Sequence, residues 1–271
     1  MRPTLRLVSF FAGALLLTSC SDATTGPAGP DSPELTELLT EMSLSNAAAG
    51  ASAFAAPVSG VVFSSGPIAP HSCSYSSATG SFVCPTVTVN GLTFTRSFKL
   101  LDDANRPLSQ FGPNVAAIQT STTMKGVVNA TNPTGSSVVA VDRSEDVTLS
   151  GIRTPDRTLN GKAVSLLTGT LTGPTGTLQI KANSTETTTD LVLPRPSSGN
   201  RWPQRGSITV VSESSITPNG QQVVTSTSTH TITFNGTSIV TITFTGGFGT
   251  VSCQIDLAKP SGMQACSPLG L

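Results

Sequence analysis

Charge is scarce in this chain. Aspartate, glutamate, lysine and arginine make up 11% of its 271 residues, less than half the share of about 25% typical of soluble proteins. Fifteen basic side chains balance fifteen acidic ones, so there is no basic footprint for nucleic acid. Aromatic residues are 5%, with one Trp and one Tyr. That is too few for the two aromatic girdles of a transmembrane β-barrel, and it starves any sugar-binding cleft of stacking platforms. Two histidines, His71 and His230, leave little general-base chemistry. Alanine, glutamate, lysine and leucine do not dominate, which excludes a coiled coil. What is abundant is hydroxyl: 40 Thr and 36 Ser. With 37% hydrophobic residues and no net charge, the chain is too apolar to be simply disordered. It is long enough for one or two domains with a real core.

Residues 1–20 read MRPTLRLVSFFAGALLLTSC. Arg2 and Arg6 form a short positive segment. Leu7 to Leu17 form an apolar stretch too short to span a bilayer of about 30 Å as a helix. Small residues then lead to Cys20. The tetrapeptide Leu17-Thr18-Ser19-Cys20 resembles the lipobox of bacterial lipoproteins. That resemblance implies removal of residues 1–19 as a signal peptide, diacylglyceryl transfer to the Cys20 thiol, and acylation of the new amine with a chain such as palmitate. Two or three acyl chains give stable anchoring where one gives only marginal binding. The membrane, reached through lipid on Cys20, is then a partner. Ser21 in place of an aspartate implies the outer membrane of the cell envelope, by the proteobacterial sorting pattern. Cleavage takes Arg2 and Arg6 away and leaves 13 basic against 15 acidic side chains.

The cysteines fit export. With Cys20 lipidated, Cys73, Cys84, Cys253 and Cys266 remain, an even number in an oxidising compartment. Of three connectivities, the local one is favoured, Cys73–Cys84 and Cys253–Cys266. Ser77-Ala78-Thr79-Gly80 is a four-residue turn that sets Cys73 opposite Cys84 across a hairpin, close enough to bridge. Lys259-Pro260-Ser261-Gly262 does the same for the second pair, with Pro where a type I turn favours it. Zinc would want Cys-x-x-Cys or Cys/His spacing; neither pair has it, so no metal and no cofactor is expected.

Residues 20–31 read as the lipidated Cys20 and a flexible, Gly- and Pro-containing tether. Residues 32–56 read as an amphipathic helix running into an Ala-rich segment. Ser32 caps it, Pro33 suits its first position and Glu34 its positive end. Leu35, Leu38, Leu39 and Met42 make one apolar stripe, expected to pack as a cover on the body.

Residues 57–271 read as an antiparallel β domain. Apolar and hydroxyl residues alternate with period 2 in several runs: Leu92, Phe94, Phe98 and Leu100; Leu178, Ile180 and Ala182; Val240, Ile242 and Phe244; Val251, Cys253, Ile255 and Leu257. Each run has one face for a core and one for water. Asn-Gly, the strongest short hairpin signal, occurs at Asn90-Gly91, Asn160-Gly161, Asn219-Gly220 and Asn235-Gly236. Pro133-Thr134-Gly135 and Pro174-Thr175-Gly176 supply further turns. Ten to twelve strands in a meander result, and a sheet that large must curl, split or close. The expected fold is all-β: a large curved antiparallel meander, barrel-like or open, with one N-terminal helix. A two-sheet β-sandwich is the alternative.

Candidate chemistry is thin. No Gly-x-Ser-x-Gly elbow, His-Glu-x-x-His or phosphate-cradling loop occurs. His230 lies in phase with Ile232 and Phe234 and reads as a half-buried strand residue. Asp102-Asp103 with Asn105, and Asp142 with Glu145 and Asp146, do not match an EF-hand loop and read as solvated turns. The segment 194–205 holds the single Trp with Arg195, Arg201 and Arg205. Trp202 and these arginines form a candidate binding loop of the hot-spot kind, against the plainer reading that Trp202 plugs an end of the sheet. Thr225, Thr227, Thr229, Thr231 and Thr233 share one face, with Thr241, Thr243 and Thr245 beside them. Such a ladder resembles those of ice-binding proteins; the preferred reading is an ordinary exposed strand face, where Thr pairs support the sheet. The composite expectation is a non-enzymatic, lipid-anchored envelope protein with a binding or structural role. Two alternatives stand beside it: a carrier of a small lipophilic ligand in a barrel hollow, and a hydrolase with a cryptic site. Its candidate partners are a protein or a small lipophilic ligand.

Overall fold

The computed structural model describes residues 73–132, 135–174, 176–194, 202–247 and 249–258, with the backbone of 263–268. The signal peptide and tether expected over 1–31, Cys20 among them, the helix expected over 32–56, and His71 lie outside the described residues, as do Arg195, Arg201 and the turn expected at 259–262.

Among the described residues, fourteen strands form one sheet. They are β1 (Ser74–Ser76), β2 (Ser81–Val83), β3 (Val87–Val89), β4 (Leu92–Leu101), β5 (Pro107–Leu108), β6 (Ala117–Asn132) and β7 (Gly135–Ser150). Then follow β8 (Arg157–Gly173), β9 (Gly176–Leu193), β10 (Arg205–Pro218), β11 (Val224–Phe234), β12 (Ile239–Gly246), β13 (Gly249–Asp256) and β14 (Met263–Pro268). The spatial order is the chain order, β1-β2-β4-β6-β7 and on to β14, with β3 and β5 paired on β4. Every pairing is antiparallel. This is the expected meander, larger than ten to twelve strands and built as one sheet rather than a sandwich. Among the described residues β1 and β14 do not pair with each other, so the sheet is open.

The turns follow local chemistry. Asn90 (φ 51°) and Gly91 (φ 82°) both take the left-handed conformation between β3 and β4, as a two-residue hairpin of that kind demands. Asn219 and Gly220 do the same after β10. The hairpin β1–β2 turns on the expected tetrapeptide, with the Gly80 amide donating to the Ser76 carbonyl at 2.9 Å. The disulfide Cys73–Cys84 forms across it. At the other end of the sheet Cys253 is disulfide-bonded, and the register sets it opposite Cys266.

Asn160-Gly161 is a correction. It makes no turn; it lies inside β8, which runs unbroken from Arg157 to Gly173. Here the register slips against β9, with Leu159 opposite Leu191 and Gly161 opposite Thr188. Asn160 therefore faces two residues, Thr189 and Asp190, and β9 carries a β-bulge. Two smaller corrections concern faces. Leu178 and Leu257, placed on the core side by their alternation, are each 38% exposed. Asp256, placed on the wet side, is buried and accepts from the Ala258 amide at 3.0 Å.

The core lies on one face. In β7, Val139, Val141, Val147 and Leu149 are buried at odd positions while even positions face water. Register carries this face from strand to strand, and Leu100, Ile118, Leu149, Leu159, Leu191 and Val240 have no accessible surface. A single sheet covers one of its faces this completely only by curling or by carrying a lid; cumulative twist drives a sheet of this size to curl.

Candidate functional site

The inner face is not apolar throughout. One cross-strand line reads Arg96, Thr122, Glu145, Ala163, Glu186, Val210, His230 and Phe244, from β4 to β12. The next reads Phe94, Met124, Arg143, Ser165, Ser184, Ser212 and Ser228. Together they form a polar belt between two apolar zones. Phe98, Val147, Ile208, Ile232 and Ile242 lie on one side; Val139, Val141 and Leu167 lie on the other.

Arg143 is the centre of the belt. Its Nη2 donates to Glu145 Oε2 and to Glu186 Oε2, each at 3.3 Å, and its Nη1 donates to Ser165 Oγ at 3.1 Å. All three charged side chains are at most 15% exposed. Burial pushes the Glu186 carboxyl above its ordinary range; Arg143 pulls it back, and the neighbouring Glu145 charge adds to the rise. Burial also lowers the Arg96 guanidinium against the pull of Glu145, yet an arginine stays charged in a protein. His230 stands edge-on to Phe244, with ring centroids 4.8 Å apart. Desolvation lowers its pKa, so it is neutral at pH 7.

Sequence reasoning passed over Arg96, Arg143, Glu145 and Glu186 as belt residues. The signal was present: Arg143 and Glu145 fall in phase with Val139, Val141, Val147 and Leu149. A charged pair on the buried phase of a strand announces an internal ion pair, since charge is buried only when paired.

The residues singled out from sequence are dispersed. Asp142 pairs with Lys125 on the outer face at 3.0 Å, and Asp146 accepts from Ser121. Both lie in strand β7, not in a turn as expected: four residues apart, they share its outer face, while Glu145 between them falls on the inner one. Asp102 does sit in a turn, accepting from the Ala104 and Arg106 amides and from Arg106 Nε, while Asp103 pairs with Arg153. Among the described residues no cluster of His, Cys, Asp and Glu could hold a metal ion. Trp202 is half-buried in the segment entering β10, and Arg205 is exposed at the strand's first position. Backbone bonds tie this segment down: Gln204 N donates to Val192 O at 2.8 Å, and Gly236 N to Pro203 O at 2.9 Å. The threonines do share one face. Thr229, Thr231 and Thr233 stand opposite Thr245, Thr243 and Thr241, and Thr209 Oγ1 lies 3.2 Å from Thr231 Oγ1.

The packing bears on what the inner face can do. Side chains with no accessible surface border neither bulk water nor a void that could hold a water molecule, so the zone of Leu100, Ile118, Leu149, Leu159 and Leu191 is filled. No protein-family model, no curated protein and no solved structure matches this chain.

Proposed function

We propose that this chain is a non-catalytic, lipid-anchored protein of the bacterial cell envelope, whose sheet is a structural or binding body held at the outer membrane by acyl chains on Cys20. The observation that carries the structural part is the filled apolar zone on the inner face. A carrier of lipophilic ligands needs a hollow there, since such pockets enclose most of the ligand's surface; a scaffold needs a packed core. The Cys73–Cys84 disulfide supports an oxidising compartment, and the lipobox-like residues support the anchor. The outer face, rich in Thr and Ser with few charges, is the surface this body offers to partners.

Expression of the full chain and of Cys20→Ser in a bacterial host tests the reading. The wild type is expected in the membrane fraction with the mass of residues 20–271 plus acyl chains, and Cys20→Ser without acyl mass. An unacylated wild type would overturn the anchor. Organic extracts of the purified protein are expected to hold no stoichiometric lipid; one ligand per chain would overturn the structural reading in favour of a carrier.

A further inference from the structure

We propose that the chain's own segment 32–56 docks its leucine stripe on the inner face of β6 to β11, where these strands run past their neighbours. β4 begins at Leu92, opposite Gly126, and β12 ends at Gly246, opposite Ser228. Beyond these points the register carries the inner face through Val128, Val139, Gly169, Ile180, Ile216 and Val224. One row further on it sets Leu171 opposite Leu178. No charged side chain stands among them, yet most of them are uncovered. Val224 is 62% exposed and Leu178 38%; Val128, Leu171, Ile180 and Ile216 are half-buried. Curling covers the centre of the sheet, but β4, β12 and β13 stop short of these rows, so a curl brings none of them over this extension.

A contiguous uncovered apolar face marks a docking site, and the sequence supplies an occupant of matching chemistry. Leu35, Leu38, Leu39 and Met42 fall on one stripe of a helix, and such a stripe has to be buried against another element. The stripe is about 10 Å long, the width of three adjacent strands at about 4.8 Å spacing. The chain length fits as well. Cys73 is bridged to Cys84, whose amide donates to the Arg96 carbonyl at 3.0 Å, so the segment joins the sheet beside β4 in line with Arg96. From there to Ile180 is about 30 Å along the sheet, six residues along a strand and five strand spacings across. Residues 43–72 separate Met42 from Cys73. A chain of that length spans about 30 Å on average, and a tether whose mean span matches the gap gives the highest local concentration. An anionic bilayer is the poorer seat, because Glu34, Glu37 and Glu41 accompany the stripe and residues 32–56 hold no Lys or Arg.

Cross-linking of the full chain with a short bismaleimide tests the seat, with linked peptides identified by mass spectrometry. Leu39→Cys combined with Ile180→Cys is expected to link within one chain. Leu39→Cys combined with Val164→Cys, on the outer face at 45% exposure, is expected not to. Leu35→Asp with Leu38→Asp should abolish the first link. Val224→Cys replaces Ile180→Cys if the latter impairs folding, and its 62% exposure makes it tolerant of change. The outcome does not depend on acylation of Cys20. Equal linking to both faces, or to neither, overturns the proposal. So does a link through Ile180→Cys between two chains, which assigns the face to a second copy. A polarity-sensitive dye on Ile180→Cys is expected to report a wetter site in Leu35→Asp with Leu38→Asp. A dye that ignores those changes and responds to vesicles of phosphatidylethanolamine and phosphatidylglycerol assigns the face to the membrane and overturns the proposal too.

Discussion

Asp190 in β9 and Asn160 in β8 hold one another across adjacent strands. The Asp190 amide donates to Asn160 Oδ1 at 2.8 Å, and Asn160 Nδ2 donates to Asp190 Oδ1 at 3.3 Å. Asp190 has φ 47°, the left-handed region that Asp tolerates better than most residues. It is the extra residue of the bulge, and its amide has left the ladder. The side chain of Asn160 replaces the lost partner. The consequence is a change of face within one strand. Before the bulge Glu186 and Thr188 point inward; after it Leu191 and Leu193 do. One residue of slip reverses every side chain beyond it, so the bulge lets both ends of β9 serve one core.

Asn160→Ala is therefore expected to destabilise the fold by about 1 kcal/mol, the size of a hydrogen bond whose donor can still reach water. Gly206→Ala is expected to cost more, at least about 2 kcal/mol. Gly206 stands across from the bulge on β10 with φ 110°, and a methyl there would lie 2.5 Å from both the Asp190 carbonyl oxygen and the Leu191 Cα. Strain and collision with backbone act together. Urea denaturation of the two variants gives both numbers, and a Gly206→Ala protein as stable as the wild type would contradict this geometry.

Truncating Arg143 should do more damage than removing its whole network. Arg143→Met leaves Glu145 and Glu186 facing each other in a dry environment, and breaking a buried pair from one side costs about 3–5 kcal/mol. Replacing Arg143, Glu145 and Glu186 together by Met, Leu and Leu removes the charges along with their desolvation cost and should return most of that loss. Equilibrium unfolding of the single and triple variants measures the difference. A triple variant less stable than the single one would mean that the belt, rather than hydrophobic packing, holds the centre of the sheet.

These two cases mark where the sequence is legible. Alternation and Asn-Gly turns disclose the meander because both are local: a strand's period and a hairpin's left-handed residues need no distant information. Asn90-Gly91 and Asn219-Gly220 turn as their chemistry demands. Asn160-Gly161 is the same dipeptide in a different role, because Asn160 is recruited by Asp190, thirty residues away. The Arg143 belt is likewise non-local. Its arginine meets one glutamate two residues along the strand and another 43 residues on, and only the register of β7, β8 and β9 brings them together.

Stability should carry two opposing pH dependences in the weakly acidic range. The Glu186 carboxyl titrates higher in the fold than in the unfolded chain. Its contribution is complete below the unfolded value of about 4.3 and is lost as pH rises through the raised folded value, because there the native state holds more protons. His230 titrates lower in the fold. Its contribution is complete above about 6.5 and is lost as pH falls through the lowered value. Glu186→Gln should remove the decline on raising pH, and His230→Phe the decline on lowering it. Melting midpoints from pH 4 to 8 separate the two; unchanged profiles in both variants would contradict the burial assigned to these side chains.

The Cys73–Cys84 bridge closes a short loop, with a sequence separation of 11, so its effect through the unfolded state is moderate. Chain entropy for a loop of this size amounts to about 2–3 kcal/mol. Both cysteines are buried at 6% exposure, in line with Arg96 and one row along from the pair that packs Phe82 flat against Phe98, with centroids 4.7 Å apart. Cys73→Ala with Cys84→Ala should thus lower stability by about that amount and loosen β1 and β2 selectively, since among the described residues this hairpin pairs with the rest of the sheet only where β2 meets β4. Amide exchange is the discriminating measurement. Faster exchange confined to residues 74–84 is expected, with the amides of β6 to β9 protected as before; uniform acceleration would mean that this edge hairpin supports the whole core.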